Sequence, residues 1–310
     1  MILNVLILLT GLSLLLYSAD QMIGSADLIA KKFSLPPILI GLTIIAFGTS
    51  APELVVTIIA ASKTIPASDA IVGNVIGSNI ANILLVLGVS SFFFKIDLGK
   101  IRYKDNIYLF VITAYFSILF YLADEINLYH SVGFIVLVII FLNHLRDYEE
   151  DLKESSISKF SNLTYLRLIL SFVGIFIGGK VFLDSSLNIF TSLGLEQTII
   201  GITILAIGTS LPELATVVIS YVRKKESIGI GNVIGSNIMN ILFVFLPGVL
   251  IIQSRNLDFF MPDNILLHVN ILILSTLIIL SLSLLKLTIS KFTSLIFIIF
   301  YIIYICSVIV

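Results

Sequence analysis

Ten stretches of this chain stay apolar for about the twenty residues that a helix needs to cross the roughly 30 Å hydrocarbon core of a bilayer. They fall near residues 2–28, 38–62, 70–94, 107–123, 129–145, 165–190, 198–222, 228–252, 265–285 and 292–310. Lipid offers no partner for a bare N–H or C=O, so a spanning segment must satisfy its own backbone, and each run is expected to be a helix. With 58% hydrophobic and 12% charged residues, the chain has too little polar surface for a soluble domain, where about 25% charged is usual. The reading is an all-α membrane protein with ten transmembrane helices.

A formal net charge of −1, with the charges not gathered into a basic patch, gives no footing for a nucleic-acid partner. The single cysteine, Cys306, rules out an intramolecular disulfide and a thiolate metal cluster. The first twenty residues lack the basic start and the small-residue cleavage site of a signal peptide, so they read as a retained first span. One long polar stretch, RDYEEDLKESSISKFSNLTYLR at Arg146–Arg167, reads as a solvated linker. It divides the chain into 1–145, 146–167 and 168–310.

The two flanking parts repeat. GLTIIAFGTSAPELVVTIIAAS, Gly41–Ser62, aligns with GITILAIGTSLPELATVVISYV, Gly201–Val222, with 11 of 22 positions identical. GNVIGSNIANILL, Gly73–Leu85, aligns with GNVIGSNIMNILF, Gly231–Phe243, with 11 of 13 identical. Chance likeness between apolar helices recycles Leu, Ile and Val; it does not recycle Gly-Thr-Ser-x-Pro-Glu. Each part holds five spans, an odd number, so the second copy should enter the membrane inverted. Lys and Arg counts agree: an external N-terminus places fifteen of them in cytoplasmic loops, among them Lys31, Lys95, Arg146 and Arg223–Lys225, against Lys63 and Arg255 outside. Lys180 remains inside the sixth span. Inverted repeats with interrupted helices in matching places are the mark of an alternating-access transporter.

Glu53 and Glu213 occupy equivalent places in the two copies, inside runs oily enough to span. A carboxylate at the bilayer centre costs from about 2.5 kcal/mol upward, so it is kept where it meets a partner or a transported ion. Pro52 and Pro212 cannot donate to the carbonyls of Gly48 and Gly208, which disturbs each helix beside the carboxylate. Freed carbonyls, the hydroxyls of Thr49, Ser50, Thr209 and Ser210, and two carboxylates form an all-oxygen set. That set suits a hard cation such as Ca²⁺, which takes about 6 to 8 oxygen ligands. In the second motif Ser78 and Asn82, and likewise Ser236 and Asn240, are four apart and share a helix face, which makes them further ligand candidates. Gly73, Gly77, Gly231 and Gly235 form small-xxx-small pairs expected to let helices approach closely.

At these residues the chain resembles the sodium/calcium exchanger family, whose two repeats carry GTSxPE followed by GNxxGSN. The resemblance runs over essentially the whole chain: five plus five spans, a central cytoplasmic linker and both doubled motifs. It implies a core of spans 2, 3, 7 and 8, with spans 1 and 6 as long tilted helices that slide against it. It also implies ion ligands at the Ala46 and Ala206 carbonyls, Thr49, Ser50, Glu53, Ser78, Asn82, Thr209, Ser210, Glu213, Ser236 and Asn240. Some exchangers have an aspartate where this chain has Asn240, so two carboxylates stand here rather than three.

Expected partners are therefore Ca²⁺ and Na⁺ as transported substrates and the lipid bilayer, without a resident cofactor or an evident obligate protein partner. The expected location is the plasma membrane, with both termini outside. Against this reading stand a structural glutamate pair that merely locks helices, proton- or potassium-coupled cation exchange, a cation channel, and an intramembrane hydrolase. The hydrolase reading would need a nucleophile–base pair or an HExxH metal motif, and neither is apparent. Asp20, Asp27, Asp184 and Lys180 read as interfacial or cavity-facing charges, His130, His144 and His268 as interface residues near span ends, and Arg223–Lys225 as a determinant of topology.

Overall fold

The computed structural model describes residues 2–148, 161–192, 208–262 and 265–309. In chain order the helices are α1 (Ile2–Lys32), α2 (Pro37–Ile40), α3 (Ala46–Thr49), α4 (Ala51–Ser62), α5 (Ser68–Ala81), α6 (Leu87–Phe93), α7 (Tyr103–Leu122) and α8 (Leu128–Arg146). They continue as α9 (Leu163–Ser192), α10 (Leu211–Val222), α11 (Glu226–Met239), α12 (Leu246–Ser254), α13 (Leu266–Leu284) and α14 (Lys291–Ile309). Wider π turns at Gly41–Ile45, Asn82–Val86 and Asn240–Phe245 join α2 to α3, α5 to α6 and α11 to α12. Among the described residues eight helices are long and apolar enough to span, or nine when the bent pair Pro37–Thr49 and Ala51–Ser62 is taken as one. The seventh expected span, 198–222, lies partly outside the described residues; its described part includes α10.

Burial sorts these helices into a centre and a rim. In the most apolar stretches of Ser68–Phe93 and Glu226–Ser254, 72% and 78% of residues are buried, against 22% to 50% in the other straight spans. The two segments that carry the second motif are therefore the middle of the molecule. Around them the outer helices turn Leu, Ile, Val and Phe outward, as lipid requires: Ile169, Leu170, Val173 and Ile177 of α9 are all exposed.

The rim includes one very long pair. α1 has 31 residues and α9 has 30, about 45 Å each at 1.5 Å per residue, so both must tilt to fit the hydrocarbon core. They cross backbone to backbone. A Cβ placed on Gly178 would stand 2.6 Å from the Leu15 nitrogen and 3.0 Å from the Gly11 carbonyl oxygen, and one on Gly174 would meet the Ser18 hydroxyl. Glycine is required there because any side chain would drive the two helices apart.

Two short antiparallel ribbons define the ends of the bundle. β1 (Ile96–Asp97) pairs with β4 (Thr288–Ile289), and β2 (Glu125–Ile126) pairs with β3 (Phe259–Phe260). The 20-residue helix α7 runs from the first ribbon to the second, which sets them about 30 Å apart. Arg255 donates to the carbonyls of Ala61 and Lys63, while Gln253 reaches the Ile126 carbonyl, so Lys63 lies at the β2–β3 end. Phe94 stacks on Tyr221 at 5.3 Å, so Arg223 lies at the β1–β4 end.

Asp20, Asp27 and the basic triplet turn out to be joined. Arg223 pairs with Asp20, and Asp27 is held by Lys31 at 2.8 Å and Lys225 at 2.7 Å. Partly exposed pairs of this kind are worth about 0–1 kcal/mol, so they orient α1 against the α10–α11 turn more than they stabilise it. Asp184 and Lys180 are exposed on α9.

His144 departs from expectation. It is buried, with Nε2 2.6 Å from Asp105 Oδ1, and the Tyr148 hydroxyl donates to the other Asp105 oxygen at 2.5 Å. The antiparallel hairpin of α7 and α8 brings these residues together across 39 positions, a distance over which no local pattern operates. His130 instead completes a capping box with Asn127 at the start of α8.

Candidate ion-binding site

The first motif breaks its helix at one residue in each copy. Ser50 (φ −84°, ψ 2°) and Ser210 (φ −94°, ψ 6°) leave the helical region in the same way, and the first copy bends by 45° there. A helix restarts immediately, because proline at the second position needs no hydrogen-bond donor and already has a helical φ. Glu53 and Glu213 thus sit in the first turn of α4 and α10, where unpaired amides and the helix dipole favour negative charge. Gly48 and Gly208, just before each break, pack against α9 side chains, Phe172 and Leu183 respectively.

Both glutamates are 1% exposed. Ser78 donates to Glu53 Oε1 at 3.2 Å, and Glu53 Oε2 has no partner among the described residues. Glu213 lies beside the hydroxyls of Thr49 and Ser236 and close to Glu53, and neither carboxylate oxygen makes a well-formed hydrogen bond to a described residue. Neither glutamate forms an ion pair with a described basic side chain. The hydroxyls of Ser50 and Ser210 and the amide oxygens of Asn82 and Asn240 are also buried and unpartnered. A buried polar atom without a partner costs on the order of 1–3 kcal/mol, and these motif oxygens are accompanied by two unpartnered amide nitrogens, Nδ2 of Asn232 and of Asn237. The oxygens of such a set have the chemistry of ligands for a hard cation.

Amides organise the remaining groups. Asn232 Oδ1 accepts from Thr49 at 3.0 Å and from Ser236 at 3.5 Å, and these two hydroxyls lie 3.1 Å apart. Asn74 donates to the Glu53 carbonyl at 3.0 Å and to Thr57 at 3.3 Å, tying α5 to the start of α4. The Ala46 carbonyl already accepts from the Ser50 amide at 3.0 Å and from the Thr49 hydroxyl at 3.3 Å. Thr209 is half-buried and, with Ser78, lines a cavity of about 500 Å³. Ala206 lies outside the described residues.

The four glycines of the second motif divide unequally. Cβ atoms on Gly231 and Gly235 would stand 2.7 Å from the Ile38 carbonyl oxygen and 2.5 Å from that of Leu42, so this pair does bring α11 onto the segment leading to Thr49. Gly73 and Gly77 have no described atom within 4 Å of that position and line the cavity instead. The close-packing expectation is corrected for the first copy.

The sequence profile described as "sodium/calcium exchanger protein" matches residues 3–145 and 163–310, nearly the entire chain. The chain belongs to the sodium/calcium exchanger family. It is 32% identical to the sodium/calcium exchanger MaX1 of Methanosarcina acetivorans over 87% of this chain and 90% of that one. It is 28% identical to the inner membrane protein YrbG of Escherichia coli over 81% of both. The solved structure of the sodium/calcium exchanger from Methanococcus jannaschii superimposes with a TM-score of 0.81 at 28% identity, covering 98% of each chain. The exchanger is thus a multi-pass membrane transporter and not an enzyme.

Four asparagines that hydrogen-bond among these motif residues were not singled out from sequence: Asn74, Asn79, Asn232 and Asn237. A signal was present, since all four recur in both copies of GNVIGSN. Counting four residues forward from Ser78 and Ser236 passes over the adjacent Asn79 and Asn237, whose contacts are with the opposing helix; Asn74 and Asn232 lie four residues back on the same face and were open to the same count.

Proposed function

We propose that the exchanger trades Ca²⁺ for Na⁺ at one site between Glu53 and Glu213, opened alternately to the two sides of the membrane. The observation that carries this reading is the buried pair of glutamates whose oxygens have no positive partner among the described residues. Two carboxylates match the charge of one Ca²⁺, and more than one Na⁺ can replace it on the same oxygens. Ser50, Ser78, Asn82, Ser210, Ser236 and Asn240 complete the coordination, with Thr49 and Thr209 beside them. An empty site would leave two facing carboxylates in a desolvated centre, so only the loaded carrier passes through the occluded state. That rule makes the transport an exchange.

Two inverted five-span repeats are the architecture this mechanism needs, with α1 and α9 sliding on their glycine crossing. Support comes from the matched breaks at Ser50 and Ser210, the π turns that open at Asn82 and Asn240, and the placement of Lys63 and Arg223 at opposite ends. In a Cys306→Ser background, a cysteine beside Lys63 is expected to react with an impermeant thiol reagent from outside, and one beside Lys224 only after permeabilisation. Labelling of both from one side would refute the inversion.

The functional test is radiolabelled Ca²⁺ uptake into proteoliposomes loaded with Na⁺, K⁺ or neither, with and without a pH gradient. Uptake driven by internal Na⁺ alone is the expected result. Uptake driven by K⁺ or by the pH gradient would replace Na⁺ as counter-ion, and uptake with no ion inside would make the protein a channel.

A further inference from the structure

We propose that Asn79 and Asn237, the asparagines directly after Ser78 and Ser236, are positioning residues that fix which end of the Asn82 and Asn240 amides faces the transported ion. The inference rests on the ion site proposed above. An amide is an ambiguous ligand: its oxygen attracts a cation, its NH₂ group repels one, and a half-turn of the side chain exchanges them. Some other group must select the orientation.

Here each NH₂ group is taken by the opposite half of the chain. Asn240 Nδ2 donates to Asn79 Oδ1 at 3.0 Å, and Asn82 Nδ2 donates to Asn237 Oδ1 at 3.2 Å. Asn79 is itself anchored, donating to the Asn237 backbone carbonyl at 3.2 Å, so its oxygen is turned toward Asn240. All four side chains are buried, which keeps water from substituting for these bonds. Asn237 has no matching anchor, its Nδ2 being buried without a partner among the described residues, but the outcome at the two π turns is alike: Oδ1 of Asn82 and Oδ1 of Asn240 are buried with no partner among the described residues. Each asparagine that opens a π turn therefore offers oxygen because an asparagine of the other half holds its nitrogen.

The test reads Ca²⁺ affinity from the rise in melting temperature of purified protein with Ca²⁺ concentration c, fitted to a stabilisation of RT ln(1 + c/Kd), so variants that do not turn over still report. Asn79→Ala frees the Asn240 amide and is expected to weaken Ca²⁺ binding by roughly 10- to 100-fold, the usual loss when an outer partner of a metal ligand is removed. The deciding arm repeats the substitution in an Asn240→Asp background. A carboxylate is an acceptor at both ends and has no wrong orientation, so the effect of Asn79→Ala should shrink to about twofold, the scatter of independent substitutions. Asn237→Ala with and without Asn82→Asp is a second, independent cycle and carries the test if Asn79→Ala does not fold. An unchanged Kd, or an equal loss in both backgrounds, assigns these asparagines to packing and overturns the proposal. Glu53→Gln, run alongside, separates the two levels: Ca²⁺ binding retained in that variant sinks the site itself, whereas its loss beside an unaffected Asn79→Ala sinks only the positioning role.

Discussion

Glu53→Gln and Glu213→Gln are each expected to reduce Na⁺-driven Ca²⁺ uptake at least about a hundredfold while leaving a folded protein. Removing one partner from a buried charge interaction costs about 3–5 kcal/mol, and each 1.4 kcal/mol is tenfold in affinity. The same substitution should act in the opposite sense on the cation-free protein. It removes a buried carboxylate without a positive partner among the described residues, so without Ca²⁺ the glutamine variants should melt at or above the parent temperature. Added Ca²⁺ should then raise the parent and leave the variants unmoved. Initial-rate uptake and thermal melting in detergent, with and without Ca²⁺, check both halves. Near-normal uptake by either variant removes the central pair from the ion's path.

Adjacent glycines in α9 should behave oppositely. Gly→Ala inside a helix ordinarily stabilises by roughly 0.5–1 kcal/mol, because alanine loses less backbone freedom on folding. Gly179, with no described atom within 4 Å of a Cβ, should follow that rule. At Gly178 the added methyl meets Leu15 N at 2.6 Å, Leu15 Cα at 2.9 Å and Gly11 O at 3.0 Å. All three are backbone atoms, so no rotamer change relieves the contact and α1 must move away. Overpacking of this kind costs about 1–3 kcal/mol or more. Gly178→Ala is expected to lower the melting temperature by several degrees or more at the scale of single-domain proteins, and to slow exchange as the sliding surface is distorted. Equal melting of the two variants would show that the crossing tolerates separation.

The features legible in the sequence were those written in a repeating code. Periodic apolar runs announced helices because lipid permits little else, and the recurrence of Gly-Thr-Ser-x-Pro-Glu marked Glu53 and Glu213 through their equivalence. The break before each glutamate followed from one proline. What stayed hidden depends on partners far apart in sequence. Asp105 meets His144 and Tyr148 only because α7 and α8 form a hairpin, and Asn79 matters only because Asn240 lies opposite it. The glycines of the second motif show the limit most plainly. Gly77 and Gly235 stand in the same heptapeptide, yet only the second has a helix backbone against it among the described residues. A motif specifies what a residue can do; the fold supplies the neighbour that decides whether it does.

The two end ribbons bear on how such a chain is made. β1 at residues 96–97 waits for β4 at 288–289, and β2 at 125–126 waits for β3 at 259–260. At about 5 to 20 residues per second, the ribosome delivers the partner of β1 roughly 10 to 40 s after β1 itself. Through most of that interval the first half is already made, with bare strand edges at both ends and its one motif carboxylate, Glu53, lacking its counterpart Glu213. The first half is thus born as an incomplete object, and the last turn before α14 is the stitch that closes it.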